Sequence, residues 1–329
     1  MSGDKDPRFV VRACAVFCRR HTDAHLILIG NPSDIQAGLS DSSVKSPDLI
    51  PTNISIVESA DVVSMTDQPA KALRNKRESS MSITVKMHSE GKVDACWSAG
   101  NTGALMAFGL HWLKPLEGVE RPAICKAIPT KNHTKSFLLD IGANPDCTPK
   151  NLLQFAQLGN RLARSAGIQA PKIALLNVGV ESHKGGQLQK EAEALIKKHE
   201  NLNYTGFIES DALFEGQSHV IVCDGFNGNA ILKACEGTAE FMLTGLKQAF
   251  QKHWANRLLA WLIQGLLKQW RNSYNPDDLN GAVFLGLNGI VVKSHGSADE
   301  RGLLASLQVA YDQALAKTEL LRNISEEYA

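Results

Sequence analysis

Short apolar runs alternate with amphipathic segments along most of this 329-residue chain. Apolar runs bounded by turn residues are typical of strands buried in a parallel sheet. They occur at residues 25–30, 54–57, 93–97, 137–139, 173–176, 204–208 and 220–223. Helical spacing is found around residues 9–20, 70–90, 102–112, 150–166 and 187–199. The alternation predicts an α/β fold, with helices on both faces of a mostly parallel sheet. We expect a single three-layer α/β/α domain over residues 1–329. Residues 36–53, rich in polar residues and proline, are expected to form a surface connection.

The segment 254–274 departs from this alternation. At about 100° per residue, its apolar side chains share one broad face and its basic side chains gather opposite. The apolar face comprises Leu258, Leu259, Leu262, Ile263, Leu266, Leu267 and Trp270. Such a helix is suited to packing in a core or dimer interface, or to lying on a membrane surface. The pattern alone leaves both placements open and favours packing.

Composition and charge narrow the class of protein. A formal net charge of +1 gives no global field that would favour nucleic acid. The seven cysteines lie far apart, without a Cys-x-x-Cys pair, which favours reduced thiols in a cytoplasmic setting. The polar start of the chain does not match a signal peptide. No apolar run approaches the roughly 20 residues that span a bilayer.

Loops rich in glycine, asparagine and serine follow several of the apolar runs. They lie at residues 98–103, 140–144, 177–179, 224–229 and 293–296. Glycine allows close backbone approach to a ligand, and N–H groups at a helix start attract anions. Because ligands of parallel sheets bind at the carboxyl ends of strands, we expect one shared anion-binding cleft. The competing interpretation of each loop is an ordinary helix cap.

The candidate ligand-binding residues come from these loops. They are Ser98, Gly100, Asn101, Thr102, Gly103, Asp140, Asn144, Asn177, Asp224, Gly225, Asn227 and Ser294. Asp140 and Asn144 have either a structural or a substrate-orienting role, since loop Asp and Asn also bond their own backbone. Lys184 and Lys293 are the candidate cations, and the loop that carries Lys293 also offers the hydroxyl of Ser294 and the imidazole of His295. We expect neither a metal nor a cofactor, because the chain lacks a close carboxylate cluster and a dinucleotide-binding fingerprint. A covalent serine nucleophile is not indicated, since no Gly-x-Ser-x-Gly motif is present.

Several motifs, taken in order, resemble those of the phosphate acyltransferase (PlsX) family of bacterial phospholipid synthesis. They lie at residues 98–105, 116–123, 139–144, 174–179, 222–229, 280–282 and 292–298. The likeness covers nearly the whole chain. Two stretches depart from it. Residues 1–7 match only the end of the family's opening Asp-x-Met-Gly-Gly-Asp-x-Gly-Pro loop, and the loop before Lys184 is less acidic than is usual.

The resemblance implies transfer of a fatty acyl group from acyl carrier protein to inorganic phosphate, giving acyl phosphate. It implies a fold akin to isocitrate and isopropylmalate dehydrogenases and to phosphotransacetylases, and a homodimer. It also implies that the product passes to a membrane glycerol-3-phosphate acyltransferase. In this family, residues 240–275 would form a protruding amphipathic helical hairpin that touches the membrane near the dimer contact. The protein would then be cytoplasmic and peripherally membrane-associated.

For this chemistry, Lys184 and Lys293 are predicted to neutralise phosphate, and His295 to relay a proton. Ser98, Asn101, Thr102 and Asn229 would donate hydrogen bonds. The acidic carrier protein is expected on a basic patch of Lys71, Arg74, Lys76 and Arg77. Two alternatives stay open: a phosphotransacetylase that uses acyl-coenzyme A, and an inactive membrane-associated scaffold.

Overall fold

The computed structural model describes residues 5–40, 51–253, 256, 261–266 and 279–316. The strands are β1 Leu26–Gly30, β2 Ile54–Glu58, β3 Cys96–Ser98, β4 Ala123–Pro129, β5 Lys135–Leu139, β6 Lys172–Leu176, β7 Asn203–Ile208, β8 Val220–Val222, β9 Ala282–Leu285 and β10 Val291–Lys293. The helices are α1 Pro7–Arg20, α2 Pro32–Leu39, α3 Pro69–Asn75, α4 Ser80–Ser89, α5 Thr102–Trp112, α6 Pro149–Ser165, α7 Gln187–Ile196, α8 Gly225–Gln251 and α9 Glu300–Leu315.

The strands form two sheets. β1 and β2 make a two-stranded parallel sheet, and the other eight strands follow the order β3-β10-β9-β4-β5-β8-β6-β7. Four of the seven neighbouring pairs in the larger sheet are parallel, while β4 and β9 are paired antiparallel on both sides. The predicted α/β class with a mostly parallel sheet is confirmed. β4, β9 and β10 lie outside the predicted strands.

The antiparallel pairs divide the larger sheet by strand direction. β10 and β4 both run antiparallel to β9, so they share one direction, and β3 shares it because β3 is parallel to β10. β5 runs antiparallel to β4, and β8 and β6 follow the direction of β5. The strands β3 and β10 therefore run in the opposite direction to β5, β6 and β8. The loops at 98–103 and 293–296 therefore leave one edge of the sheet, by which we mean the side at which the carboxyl ends of β3 and β10 lie. Those at 140–144, 177–179 and 224–229 leave the opposite edge. An uninterrupted parallel sheet would have placed all these loops on one side, whereas the shared cleft itself stays a prediction.

Each face of the larger sheet has its own apolar packing. On one face, Cys125, Leu139 and Val283 pack with Leu152 and Phe155 of α6. The start of α6 is fixed by a reciprocal cap, in which Thr148 and Asn151 each accept the other's backbone N–H. On the other face, clusters that include Phe108 of α5 and Ile221 of β8 are buried. The layers on both faces give the predicted α/β/α arrangement.

Two predicted segments have different bounds in the structure. The helix expected over 70–90 is interrupted, because Ser79 caps a new helix by accepting the N–H of Ser82. The connection expected over 36–53 includes the last turn of α2, and residues 41–50 lie outside the described part of the chain.

The predicted amphipathic helix over 254–274 lies mostly outside the described residues. Within the range 240–275, residues up to Gln251 belong to α8. The second half of α8 carries exposed Phe241, Met242 and Leu246, and Trp261 farther along the chain is also exposed. Among the described residues, none of the helices has the length and apolar character needed to cross a bilayer.

Candidate functional site

The register of the larger sheet places two lysines on one face. Lys293 of β10 pairs with Ser98 on one side and with Ala282 on the other. Lys126 of β4 lies one position beyond the Cys125–Val283 pair, so it faces the same side as Ala282. Paired positions on neighbouring strands project to the same face. Ser98, Lys293 and Lys126 thus form a polar row across the sheet, which we call the sheet-face row.

Lys293 is a buried cation. It is only 8% exposed, and its ammonium donates to the carbonyl of the neighbouring Ser294. A buried charge acts strongly on its surroundings because little water screens it. The sequence-predicted cation therefore lies where it can attract an anion to the end of β10.

The loops after β3 and β10 come together, as their shared polar character predicted. The N–H of Ser294 donates to the carbonyl of Ser98 at 2.9 Å. Asn280 joins the same group, since its Nδ2 donates to Ser294 Oγ and its Oδ1 accepts the N–H of His295. The hydroxyl of Ser98 accepts the N–H of Gly100 at 3.1 Å.

Asn101 caps α5 and ties it to the preceding loop. Its Oδ1 accepts the N–H of Ala104, while its Nδ2 donates to the carbonyls of Ser64, Met65 and Asp67. The amide is thus engaged at both ends by the protein itself. Thr102 and Gly103 open the helix beyond this cap. Their contact with a ligand stays a prediction, whereas the capping interpretation of Asn101 is confirmed.

At the opposite edge, Asp140 organises the loop after β5. Its fully buried carboxylate accepts five hydrogen bonds, from the N–H groups of Ile124, Gly142, Ala143 and Asn144 and from Asn144 Nδ2. Asn144 Nδ2 also donates to the carbonyl of Pro122. These contacts support the structural role of Asp140 and Asn144 that the sequence left open.

The start of α8 packs directly on this loop. Asp224 caps the helix by accepting the N–H and the side-chain amide of Asn227. The N–H of Gly225 donates to the carbonyl of Asn144 at 2.8 Å. A Cβ on Gly228 would come within 1.9 Å of the Asp140 carbonyl. The predicted loops at 140–144 and 224–229 are therefore brought together, and glycine is required where the two backbones touch.

One face of α8 leads from the Asp140 loop to the sheet-face row. Asn229, Lys233 and Glu236 are spaced four and three residues apart, so they share a helix face. A Cβ on Gly142 would lie 3.6 Å from the Asn229 side chain. Farther along, the Glu236 carboxylate binds Lys233 at 2.8 Å and Lys126 of the sheet-face row at 2.9 Å. The helix face thus leads from the Asp140 loop to the lysines.

His295 is surrounded by these charges. Partial burial of the ring lowers its pKa, and Lys233, Lys293 and Lys126 add to this effect while Glu236 opposes it. The N–H of Ser297 donates to Nδ1 at 3.3 Å, and Ser297 Oγ lies 2.8 Å from the same nitrogen. Since Nδ1 accepts, the ring proton is on Nε2. In this tautomer, which follows from the contacts at Nδ1, Nε2–H of His295 can donate a hydrogen bond.

Lys184 lies in contrasting surroundings, in the exposed loop that follows β6. Its ammonium pairs with Glu181 at 2.8 Å, and this partner raises the pKa of Lys184. The amide of Asn177 holds the loop by donating to the carbonyls of Gly179 and Lys184. The structure places Lys184 and Asn177 on the edge shared with Asp140 and Asp224, away from the edge where β10 ends.

The sequence-based selection missed Lys126, Lys233 and Glu236. Lys126 is the charged residue in a run that is otherwise apolar from Ala123 to Pro129, which is a usable signal. Lys233 and Glu236 follow Asn229 at helical spacing, but no sequence pattern links them to β4. Their convergence depends on where α8 crosses the sheet.

Three of the four side chains of the predicted basic patch are exposed. These are Lys71, Arg74 and Arg77. Lys76 instead pairs with Asp67 at 2.8 Å and lies 3.9 Å from Asp61.

The cysteines near the site are protonated thiols. Burial raises the pKa of Cys125 and Cys223 well above the usual value, with Asp140 adding to both shifts. Burial also raises the pKa of Cys147 to about 12. Within the described residues, no three His, Cys, Asp or Glu side chains form a group that could hold a metal ion.

The fold as a whole is that of a phosphotransacetylase-like α/β protein. A phosphotransacetylase from Streptococcus pyogenes superposes with a TM-score of 0.63 at 17% identity, covering 94% of this chain and 92% of that one. A 4-hydroxythreonine-4-phosphate dehydrogenase from Klebsiella pneumoniae gives 0.53 at 13% identity over 95% and 97%. At these identities the likeness concerns the fold alone.

Sequence relatives identify the family. The family model described as "Fatty acid synthesis protein" matches residues 1–320. A phosphate acyltransferase from Saccharophagus degradans is 42% identical over 96% of this chain and 91% of its own length. One from Shewanella sediminis is 44% identical over 95% and 91%. The chain belongs to this fatty acid synthesis protein family.

Proposed function

We propose that this protein transfers an acyl group from a thioester to inorganic phosphate, releasing an acyl phosphate and a thiol. The observation that carries the proposal is the convergence of buried Lys293, Ser98 and His295 at the end of β10. The naming of the relatives as phosphate acyltransferases supports it.

The reaction needs orientation more than activation, because phosphate is already a nucleophilic oxyanion. A phosphate oxygen attacks the thioester carbonyl, forming a C–O bond. The C–S bond then breaks, and the sulfur leaves as a thiolate that takes up a proton. Lys293 attracts the phosphate, while Nε2–H of His295 is suited to stabilising the carbonyl oxyanion. Asn229 and Lys184 are proposed to contact the donor or phosphate from the opposite edge.

We further propose acyl carrier protein as the donor and phospholipid synthesis as the context, with the product passing to a membrane glycerol-3-phosphate acyltransferase. The exposed cations Lys71, Arg74 and Arg77 suit an acidic carrier. The test compares palmitoyl–acyl carrier protein with palmitoyl-coenzyme A as donors, each with phosphate. A preference for coenzyme A would support the phosphotransacetylase alternative, and no turnover with either would support the inactive scaffold.

A peripheral membrane position and a homodimer are part of the same proposal. They are supported by the exposed apolar side chains of α8, including Phe241, Met242 and Leu246. The double change Phe241→Ser and Leu246→Ser should weaken flotation with phospholipid vesicles or lower the dimer fraction in light scattering. If neither changes, this surface has another use.

A further inference from the structure

Lys126, Lys233 and Glu236 form a cluster in which the lysines outnumber the carboxylate that pairs with them. Glu236 binds both ammonium groups through its two oxygens, Oε1 to Lys126 and Oε2 to Lys233. One carboxylate thus serves two lysines. Lys293 contributes a third cation to the field at His295. The two lysines and the one carboxylate of this cluster leave it with a net charge of +1.

Burial strengthens the charges on Lys126 and Glu236, whereas the side chain of Lys233 is 56% exposed. The side chain of Lys126 is 17% exposed and that of Glu236 is 30% exposed, so solvent screens this pair less than a surface pair. Although burial opposes it, hydrogen bonds and charge from the two lysines hold the pKa of Glu236 below its usual value. The carboxylate is therefore ionised, and it offsets only part of the lysine charge.

We propose that Lys126 and Lys233 belong to the binding site for orthophosphate, together with Lys293, and that Glu236 is the anion that holds the two lysines while phosphate is absent. A phosphoryl group near neutral pH carries a charge of about −2, which is opposite in sign to the excess charge of the two lysines. This inference rests on the proposed function, because it assigns the phosphate that the reaction consumes.

The position of the cluster favours orthophosphate over the phosphodiester in the donor's pantetheine arm. Both are phosphate-type anions that lysine pairs bind. However, the cluster acts on the same His295 that is proposed to stabilise the reacting carbonyl. The nucleophile has to lie beside that carbonyl, whereas the phosphodiester is separated from the thioester by the length of the arm.

The role of Glu236 gives a signature that a purely structural ion pair would not give. When phosphate is bound, the carboxylate is a second anion beside it and weakens its binding. Glu236→Gln should therefore tighten phosphate binding about threefold, although the unliganded protein loses stability because Lys126 and Lys233 then repel each other. Lys126→Met and Lys233→Met should each raise the dissociation constant for phosphate about tenfold.

The experiment measures orthophosphate binding by isothermal titration calorimetry without an acyl donor, alongside the KM values for phosphate and for the donor. Lys131→Met is the matched control, because Lys131 also pairs with a glutamate, Glu215, in the turn between β4 and β5. Lys126→Arg keeps the charge and should restore most of the binding. Urea unfolding of each variant identifies any that fail to fold, and in that case Lys126→Arg and Glu236→Gln decide the outcome.

Unchanged phosphate binding in Lys126→Met and Lys233→Met, or a rise in the donor KM alone, overturns the assignment. Weaker phosphate binding in Glu236→Gln overturns the role of the carboxylate. A separate outcome would refute the proposed function. A protein that binds phosphate through these lysines but transfers no acyl group refutes the reaction and leaves the site intact.

Discussion

Lys293 and Lys184 both lie near glycine-containing loops, yet the fold gives them opposite surroundings. Lys293 ends β10, which has a neighbouring strand on each side, and is 8% exposed, whereas the side chain of Lys184 is 43% exposed and pairs with Glu181. Water and salt screen the exposed charge, but they screen the buried one far less. The electrostatic effect of a lysine therefore depends more on where the fold places it than on its neighbours in sequence.

The largest expected effect concerns α8, which brings Lys233 and Glu236 toward the buried region. Gly228→Ala would force a Cβ to within 1.9 Å of the Asp140 carbonyl. We expect a loss of about 3 kcal/mol or more in the free energy of unfolding, because overpacked backbone contacts relax poorly. Urea unfolding measures it.

Gly237→Ala, in the same helix, is the control. A Cβ there meets no atom within 4 Å. It should be neutral or stabilise by up to about 1 kcal/mol, since alanine is the better helix former. Equal losses in both variants would show that the contact with the Asp140 loop is not what holds α8.

The next effect tests the buried lysine itself. Lys293→Met removes the charge but keeps an apolar side chain of similar length. We expect kcat/KM for phosphate-dependent acyl transfer to fall about 100-fold. Urea unfolding of the variant separates this effect from a loss of fold, because Lys293 also donates to the carbonyl of Ser294. Activity within threefold of the parent would contradict the assignment of Lys293.

A smaller effect is expected at the exposed lysine. Lys184→Ala should raise the KM for phosphate about tenfold at low salt, and this difference should shrink at high salt because the charge is screened. Steady-state kinetics at low and high ionic strength, with Lys293→Met run in parallel, measure both. A salt-independent effect at Lys184 would abolish the contrast between the two regions.

The smallest effect concerns His295. Because its Nδ1 accepts and its Nε2 donates, His295→Gln keeps an N–H near the ε position and should lose about threefold in kcat, against about tenfold for His295→Ala. Burial and the lysines lower the pKa of His295, so the neutral form persists as the pH falls below about 6.5, the usual value. Any acid limb due to His295 should lie below that pH and vanish in His295→Gln. An unchanged limb would assign it to another group.

Hydrophobic patterning predicted those elements whose local signals agree. Helix α5 begins at Thr102 and ends at Trp112, as expected, because Asn101 supplies a cap and the apolar spacing continues to its end. β4 was missed because Lys126 interrupts its apolar run. β10 has only three residues. The reversal of strand direction that these strands cause depends on long-range pairing, which local pattern does not encode.

The candidate site was predictable as a set of loops but not as an arrangement. Polar loops drew attention to Ser98, Ser294 and His295, and the structure brings their backbones together. The same type of pattern singled out Asn101 and Asp140, whose hydrogen bonds are used within the protein. Composition cannot distinguish a donor that faces a ligand from one that holds the chain, because both require the same residue types.

The thiols around the Asp140 loop have a consequence for a protein that handles acyl thioesters. A thiolate beside such a substrate would take the acyl group itself, since the thiolate is the nucleophilic form of cysteine. Cys125, Cys147 and Cys223 are kept protonated by burial, and Cys223 Sγ donates to the carbonyl of Asp140. Under the proposed function, these protonated thiols are poor acceptors, so phosphate meets little competition from the protein for the acyl group.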